Sequence, residues 1–433
     1  MIVSVANNII SPLGMSTAVN YAAVKAGQSA LTRYEDKWGL PEPFVASLVD
    51  RDKVEQAFAA LADNRKYTFF EKMIILSASR AIQEAGINTA LERVLFILST
   101  TKGNVFLLDK RETGFPEERV LLGAAARQMT DFFNNPNPPM VVSNACISGV
   151  CAQIEAMRNL ENGCFDYVVV VGCDVQSAFI VSGFQSFKAL SPEPCKPFDA
   201  NRCGLNLGDA AATIIYTRKD TVGPDEWVAC RGAIRNDANH ISGPSRTGEG
   251  SYRALKVALG DAAATIIYTR KDTVGPNEWV ACRGAIRNDA NHISGPSRTG
   301  EGSYRALKVA LGDVDPDQIA VINTHGTATV YNDEMESVAI ERAGLSQVPV
   351  NGLKGYYGHT MGAAGILETI LSMYAIDEHN ILATKGYETL GVTHPLVVSN
   401  QNHTTDKRMF IKLLSGFGGC NAALLFAKGG ILC

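Results

Sequence analysis

The sequence predicts a layered α/β fold on three observations. Apolar runs of strand length alternate with runs of helical period along the chain, the pattern that packs helices onto sheets. The 433 residues are 46% hydrophobic and 19% charged, enough to bury a large core in two ordinary domains or one two-lobed domain. Met140–Gly149 ends an apolar run in one cysteine and a small-residue turn, which leads into Val150–Met157. That stretch reads as a buried strand, a tight elbow and an amphipathic helix, with Cys146 where the helix begins.

The elements follow in order. Met1–Ile10 is apolar but has no basic region or cleavage site, so it is read as a first strand rather than a signal peptide. Ser11-Pro-Leu-Gly turns into a helix over Thr17–Ala26, stopped at Gly27. Residues 34–66 are mixed and polar, a surface excursion. Phe69–Ala85 has a helical period and stops at Gly86. Arg93–Leu98 is a short apolar strand, and Leu121–Phe133 is a helix broken by the Asn- and Pro-rich run 134–139. Tyr167–Val171 is a buried strand. Pro194–Asp209 is a loop with a Phe198-Asp199 turn and an expected Asp199–Arg202 contact; it leads into a strand at Ala212–Thr217.

A repeat interrupts the alternation. Gly208–Leu259 recurs as Gly260–Leu311, an offset of 260 − 208 = 52 residues, with one mismatch, Asp225 against Asn277. Each copy predicts a strand (Thr213–Thr217; Thr265–Thr269), a Gly-Pro turn, a second strand (Trp227–Ile234; Trp279–Ile286), a polar loop through His240 or His292, and a helix (Tyr252–Leu259; Tyr304–Leu311). Two units are too few for a solenoid. The expectation is a tandem duplication in which one copy's worth packs into the fold and the rest is looped out. Closing a long loop adds little, because its entropy cost grows as the logarithm of length. The predicted organisation is 1–207, 208–311 (the duplicated segment) and 312–433.

After the repeat, Ile319–Asn323 is a buried strand running into Thr324-His-Gly-Thr-Ala-Thr. A glycine-rich turn around His359 precedes an apolar helix, Ile366–Ile376. Strands at Met409–Leu414 and Ala422–Ala427 flank Ser415-Gly-Phe-Gly-Gly-Cys-Asn.

Composition excludes some classes of function. A net charge of −4 with no long basic run argues against nucleic acid as the main partner. No stretch of eighteen apolar residues predicts a membrane span. Ten scattered cysteines without CxxC or metal-ligand spacing, and no signal peptide, predict reduced thiols in a cytoplasmic protein.

The chemistry rests on three side chains. A thiol at a helix start meets free N–H groups and the positive end of the dipole, which favour the nucleophilic thiolate. His325 follows a buried strand and His359 precedes a helix, places where α/β folds display catalytic groups. Each residue alone also fits a buried structural role. Together they suggest thiol acyl transfer, with Gly416-Phe-Gly-Gly flexible enough to bring a backbone N–H close to a reacting oxygen.

Ser143-Asn-Ala-Cys146, His325-Gly-Thr-Ala-Thr329, Lys354-Gly-Tyr-Tyr-Gly-His359 and Gly416-Phe-Gly-Gly419 occur in this order. So do Ser11-Pro-Leu-Gly14, Pro197-Phe-Asp199 with Arg202 and Gly204, and Asn332-Asp-Glu-Met-Glu336. From about residue 3 to residue 427 the chain resembles the elongating β-ketoacyl-acyl-carrier-protein synthases, condensing enzymes of the thiolase-like superfamily. Cys146 and His325 are 179 residues apart, and 179 − 52 = 127 once one copy is removed, close to the family's spacing. The second copy is the main departure. Ser143-Asn-Ala-Cys in place of the commoner Asp-Thr-Ala-Cys pattern is a lesser one.

The resemblance implies a layered αβαβα fold of two pseudo-symmetric halves. It implies an acyltransferase in fatty-acid or related polyene or polyketide synthesis, condensing malonyl units with an acyl group held as a thioester on Cys146. His325 and His359 would hold the malonyl thioester carbonyl as carbon dioxide leaves. The N–H groups of Cys146 and Phe417 would form the oxyanion hole, with Phe417 also a gate. Lys354 and Glu336 would be a supporting pair, and Thr327 and Thr329 would bind the phosphopantetheine arm. No metal or organic cofactor is implied. The implied partner is an acidic acyl carrier protein, with Arg65, Lys66 and Arg127 as candidates for the patch facing it. A homodimer, or a heterodimer with a related subunit, is implied too. The alternative is a non-catalytic partner subunit of the chain-length-factor kind, against which Cys146 argues.

Overall fold

The computed structural model describes residues 1–109, 114–219, 227–229, 232–233, 279–288 and 297–428. Two sets of five strands share one plan. In the first, Ile2–Ile10 pairs antiparallel with Ala210–Arg218, which pairs antiparallel with Tyr167–Asp174. Tyr167–Asp174 lies parallel to Val94–Ser99, and that strand parallel to Met140–Val142. In the second, Trp279–Asn288 pairs antiparallel with Cys420–Lys428, and that strand antiparallel with Met409–Gly416. Met409–Gly416 lies parallel to Ile319–Asn323, and that strand parallel to Pro349–Asn351. If the strands of each set are numbered in chain order, both read 1-5-4-2-3.

Val94–Ser99, Tyr167–Asp174, Ile319–Asn323, Met409–Gly416 and Cys420–Lys428 are buried on both faces, so alternate residues serve different layers. Val168 and Val170 face inward with Leu424 and Phe426, against the helices Ser148–Glu161 and Ala364–Asp377. Val169 and Val171 face outward onto the helix Phe69–Ala85. Ala423 and Leu425 face outward onto Glu301–Leu311 and Val330–Arg342. Helix, sheet, helix, sheet and helix layers result, the αβαβα arrangement of the thiolase-like fold. The two central helices cross at glycines: a Cβ on Gly149 would lie 3.0 Å from the Gly365 backbone. Glycine there lets both helix starts approach each other.

The duplicated segment supplies the closing strand of one set and the opening strand of the other. Ala210–Arg218 comes from the first copy and Trp279–Asn288 from the second. Trp227–Ala229 of the first copy also pairs with Lys428, Ala427 and Phe426, the same residues that pair with Trp279, Val280 and Ala281. Gly232 and Ala233 lie parallel to Gly284 and Ala285, their own counterparts 52 residues on. The expected elements at Thr265–Thr269 and Tyr252–Leu259, and both His240 and His292, lie outside the described residues.

Several expectations need correction. Residues 34–66 are more than an excursion: Phe44–Ser47 is a fully buried strand beside Leu207–Gly208, and Arg51–Ala59 is a helix capped by Asp50. The pattern is too short there to show its period. Met140–Val142 is half-buried rather than buried, because it is the last strand of the main sheet and pairs on one side alone. The expected Asp199–Arg202 contact does form, through the Asp199 carbonyl at 3.0 Å, while the carboxylate beside Arg202 is that of Asp333 at 3.9 Å. The Asp199 carboxylate instead accepts N–H groups from Glu388 and Thr389. Among the described residues no helix is long and apolar enough to cross a membrane.

Candidate active site

Cys146 sits in the elbow between Met140–Val142 and Ser148–Glu161. Ala145 before it adopts φ +45°, a strained conformation for a side-chain-bearing residue. Ser148 fastens the turn by donating to the Ala145 carbonyl at 2.7 Å and accepting from Asn144 N at 2.8 Å. The thiol does not follow the helix-start expectation of a lowered pKa. Burial pushes it up to about 11, against the pull of the Lys354 charge and the Phe417 N–H. The site therefore stores a neutral thiol.

His325 is displayed just past the strand Ile319–Asn323. Glu336 accepts from the N–H groups of His325 and Gly326, at 2.7 and 2.8 Å. Lys354 donates to the His325 carbonyl at 2.5 Å. Lys354 and Glu336 thus flank the same residue, but the ion-pair partner of Lys354 is Glu368, at 2.8 Å. Burial, then the charge of Asp333, pushes the Glu336 carboxyl up to about 7.

His359 follows Gly358, whose φ is +69° and whose missing Cβ would stand 2.5 Å from the Leu207 carbonyl oxygen. Its backbone is pinned on both sides, donating to Asn206 O at 2.7 Å and accepting from Gly208 N at 3.1 Å. The Met361 N–H donates to its Nδ1 at 3.3 Å, which leaves the ring proton on Nε2. That Nε2 is buried without a partner. Both histidines are pushed well below 6.5, by burial first and the Lys354 charge second.

The fold brings the three together. Sγ of Cys146 and one ring nitrogen from each histidine lie within 4.8 Å of one another, all buried. Cys146 stands where two cavities meet. One, of about 410 Å³, is lined by both histidines, Thr327, Thr329, Tyr331 and Asn421. The other, of about 530 Å³, is lined by Phe179, Ile180, Met361, Thr101 and Lys102. Phe417 borders both, its ring against Phe184 and Phe187 at 5.8 and 5.7 Å between centroids. The hydroxyls of Thr327 and Thr329 hydrogen-bond each other at 2.9 Å in the first cavity. Gly416 lies against the Cys146 N–H: a Cβ there would come within 3.1 Å of it.

Arg65 and Lys66 are exposed on a short turn and Arg127 on a separate helix, and none lines either cavity. Arg65 is already paired with Asp63 at 3.0 Å.

Sequence reading missed two buried charges behind the histidines. Glu368 holds Lys354 on one oxygen and Lys412 on the other, the latter at 2.6 Å, and all three side chains are fully buried. The signal was available: each of Glu368 and Lys412 is a lone charge inside an apolar run. A Cys and two His offer donor types that suit a metal, but two buried ammonium groups oppose a dication there.

The first 221 residues match the model of the beta-ketoacyl synthase N-terminal domain, and residues 280–388 match that of the C-terminal domain. The unmatched stretch between them, residues 222–279 (280 − 221 − 1 = 58 residues), is slightly longer than one 52-residue copy and runs from the first copy into the second. The chain is 26% identical to 3-oxoacyl-[acyl-carrier-protein] synthase 2 of Vibrio cholerae, over 97% of each chain. It is 27% identical to nodulation protein E of Rhizobium leguminosarum bv. trifolii, over 78% of this chain and 71% of that one. In structure it resembles a ketosynthase (ApeO) solved with its chain length factor (ApeC) from Xenorhabdus doucetiae, with TM-score 0.76, 21% identity and coverage of 99% and 98%. A beta-ketoacyl synthase from Burkholderia phymatum gives TM-score 0.73 at 21% identity, over 99% of each chain. Fold and family models define the class as thiolase-like condensing enzymes. The chain belongs to the beta-ketoacyl synthase family.

Proposed function

We propose that this protein is an elongating β-ketoacyl-[acyl-carrier-protein] synthase. The observation that carries the reading is Cys146, His325 and His359 converging at the junction of two cavities. The Cys146 sulfur attacks the carbonyl of an acyl thioester; the carrier's thiol leaves with the proton, and the acyl chain occupies the cavity beside Phe179 and Met361. A malonyl thioester then enters past Thr327 and Thr329. N–H groups of the two neutral imidazoles hold its thioester oxygen. The bond to the carboxylate breaks, carbon dioxide leaves, and an enolate forms. The enolate carbon attacks the acyl carbon, the N–H groups of Cys146 and Phe417 hold the oxyanion, and the Cys146 thiolate departs.

No step calls for a metal or organic cofactor. Arg65, Lys66 and Arg127 are offered as the carrier's dock; replacing Arg65 and Lys66 with Glu would raise KM for the carrier, and an unchanged KM removes them. A cytoplasmic setting and a homodimer, or a heterodimer with a related subunit, belong to this reading. A non-catalytic partner subunit is the less favoured reading, because it has no use for Cys146. Mass spectrometry after incubation with acyl carrier separates the two: wild type gains the acyl mass and Cys146→Ala does not. An unacylated wild type would sink the proposal.

We also infer that one copy of the repeat serves the fold. Ala210–Arg218 and Trp279–Asn288 together supply the strands a single copy would supply, and both copies offer Trp-Val-Ala to the same three residues of Cys420–Lys428.

A further inference from the structure

We propose that Lys412 is a positioning residue for carbon–carbon bond formation, tying the strand end that carries His325 to Glu368, the carboxylate that also holds Lys354. The inference rests on the ketosynthase reading above.

Lys412 lies in the strand Met409–Gly416 between buried Ile411 and Leu413, and nothing in sheet packing asks for a charge there. A desolvated ammonium is costly, and an apolar side chain of similar length would fill the volume. Its ammonium donates to Asn323 Oδ1 at 2.6 Å and to the carbonyls of Thr324, Leu413 and Asn323 at 3.1, 3.2 and 3.3 Å, and stands 2.6 Å from Glu368 Oε2 as an ion pair. Lys354 takes the next carbonyl, that of His325. Three successive carbonyls, 323 to 325, are therefore held by two ammonium groups that share one carboxylate. Asn323 is locked in turn by donating to Asn351 Oδ1 at 2.7 Å.

The cluster has two positive charges against one negative, directly behind two imidazoles that act as neutral donors. The charged and titratable groups acting on the rings are Lys354, Lys412 and the nearby Cys146 thiol; Glu336 holds the His325 backbone with Asp333 and Arg202 behind it, and Glu368 holds both lysines with the Tyr357 phenol near it. Burial is the first cause of the histidines' lowering and Lys354 the second, with Lys412 adding to both. Removing the Lys412 charge would let the imidazoles take a proton at higher pH.

The test compares Lys412→Met with wild type in two half-reactions, acylation of Cys146 by acyl carrier and decarboxylation of malonyl carrier, each across pH 5–9, with Tm measured alongside. The expected result is acylation within about twofold, decarboxylation slowed about tenfold or more, and its acid limb moved up by about one pH unit. A folded variant with unchanged decarboxylation and profile overturns the proposal. So does an equal loss in both half-reactions with an unshifted profile, the mark of a general structural role. If Lys412→Met does not fold, Lys412→Gln, which keeps two N–H donors but no charge, decides on the same readouts. Wild type inert in both half-reactions defeats the ketosynthase reading and this proposal together; an active wild type with indifferent variants defeats only this one.

Discussion

The rings of His325 and His359 meet edge to face, with centroids 5.0 Å apart and planes at 81°. Two imidazoles this close cannot both carry charge in a buried site. Each is pushed well below 6.5, so each is neutral at pH 7 and stays so as pH falls through the ordinary histidine range. The decarboxylation rate should therefore be flat from pH 7.5 to about 6, below the ordinary histidine value. A rate that halves near pH 6.5 would show that these rings titrate normally and that the buried charges do not act as described.

Gly358 sets the orientation of His359. An alanine there would meet the Leu207 carbonyl at 2.5 Å and sit at φ +69°. Gly358→Ala should cost about 2–4 kcal/mol in urea unfolding and stop decarboxylation, while Cys146 acylation falls far less. Equal loss of both half-reactions would place the effect in the global fold.

Phe417 divides the two cavities through its contacts with Phe184 and Phe187. Phe417→Ala should join them and widen the range of acyl chain lengths that load Cys146, as measured by intact mass against a set of acyl carriers. An unaltered range means that Phe417 sets no boundary.

Deleting residues 219–270 joins Arg218 to Lys271 and leaves one seamless copy of the repeat. The shortened chain should fold, acylate Cys146 and melt no lower than the full chain, because it loses only material beyond one copy's strands. A shortened chain that unfolds or stays unacylated would mean that both copies are needed.

The sequence by itself determined the local elements and the candidates for the reacting groups. Stops at Gly27 and Gly86, the Cys146 elbow and the two histidine turns are written within a few residues each, because glycine conformations and hydrophobic periods are short-range properties. Tertiary structure decided which charges those groups face. Lys412 and Glu368 stand 44 residues apart, 412 − 368, and become partners only when strand and helix pack. It also decided that the Cys146 thiol is held neutral, because burial outweighs the helix start. Within the repeat the sequence offers two equal copies, and only strand pairing distinguishes the one that closes the first sheet from the one that opens the second.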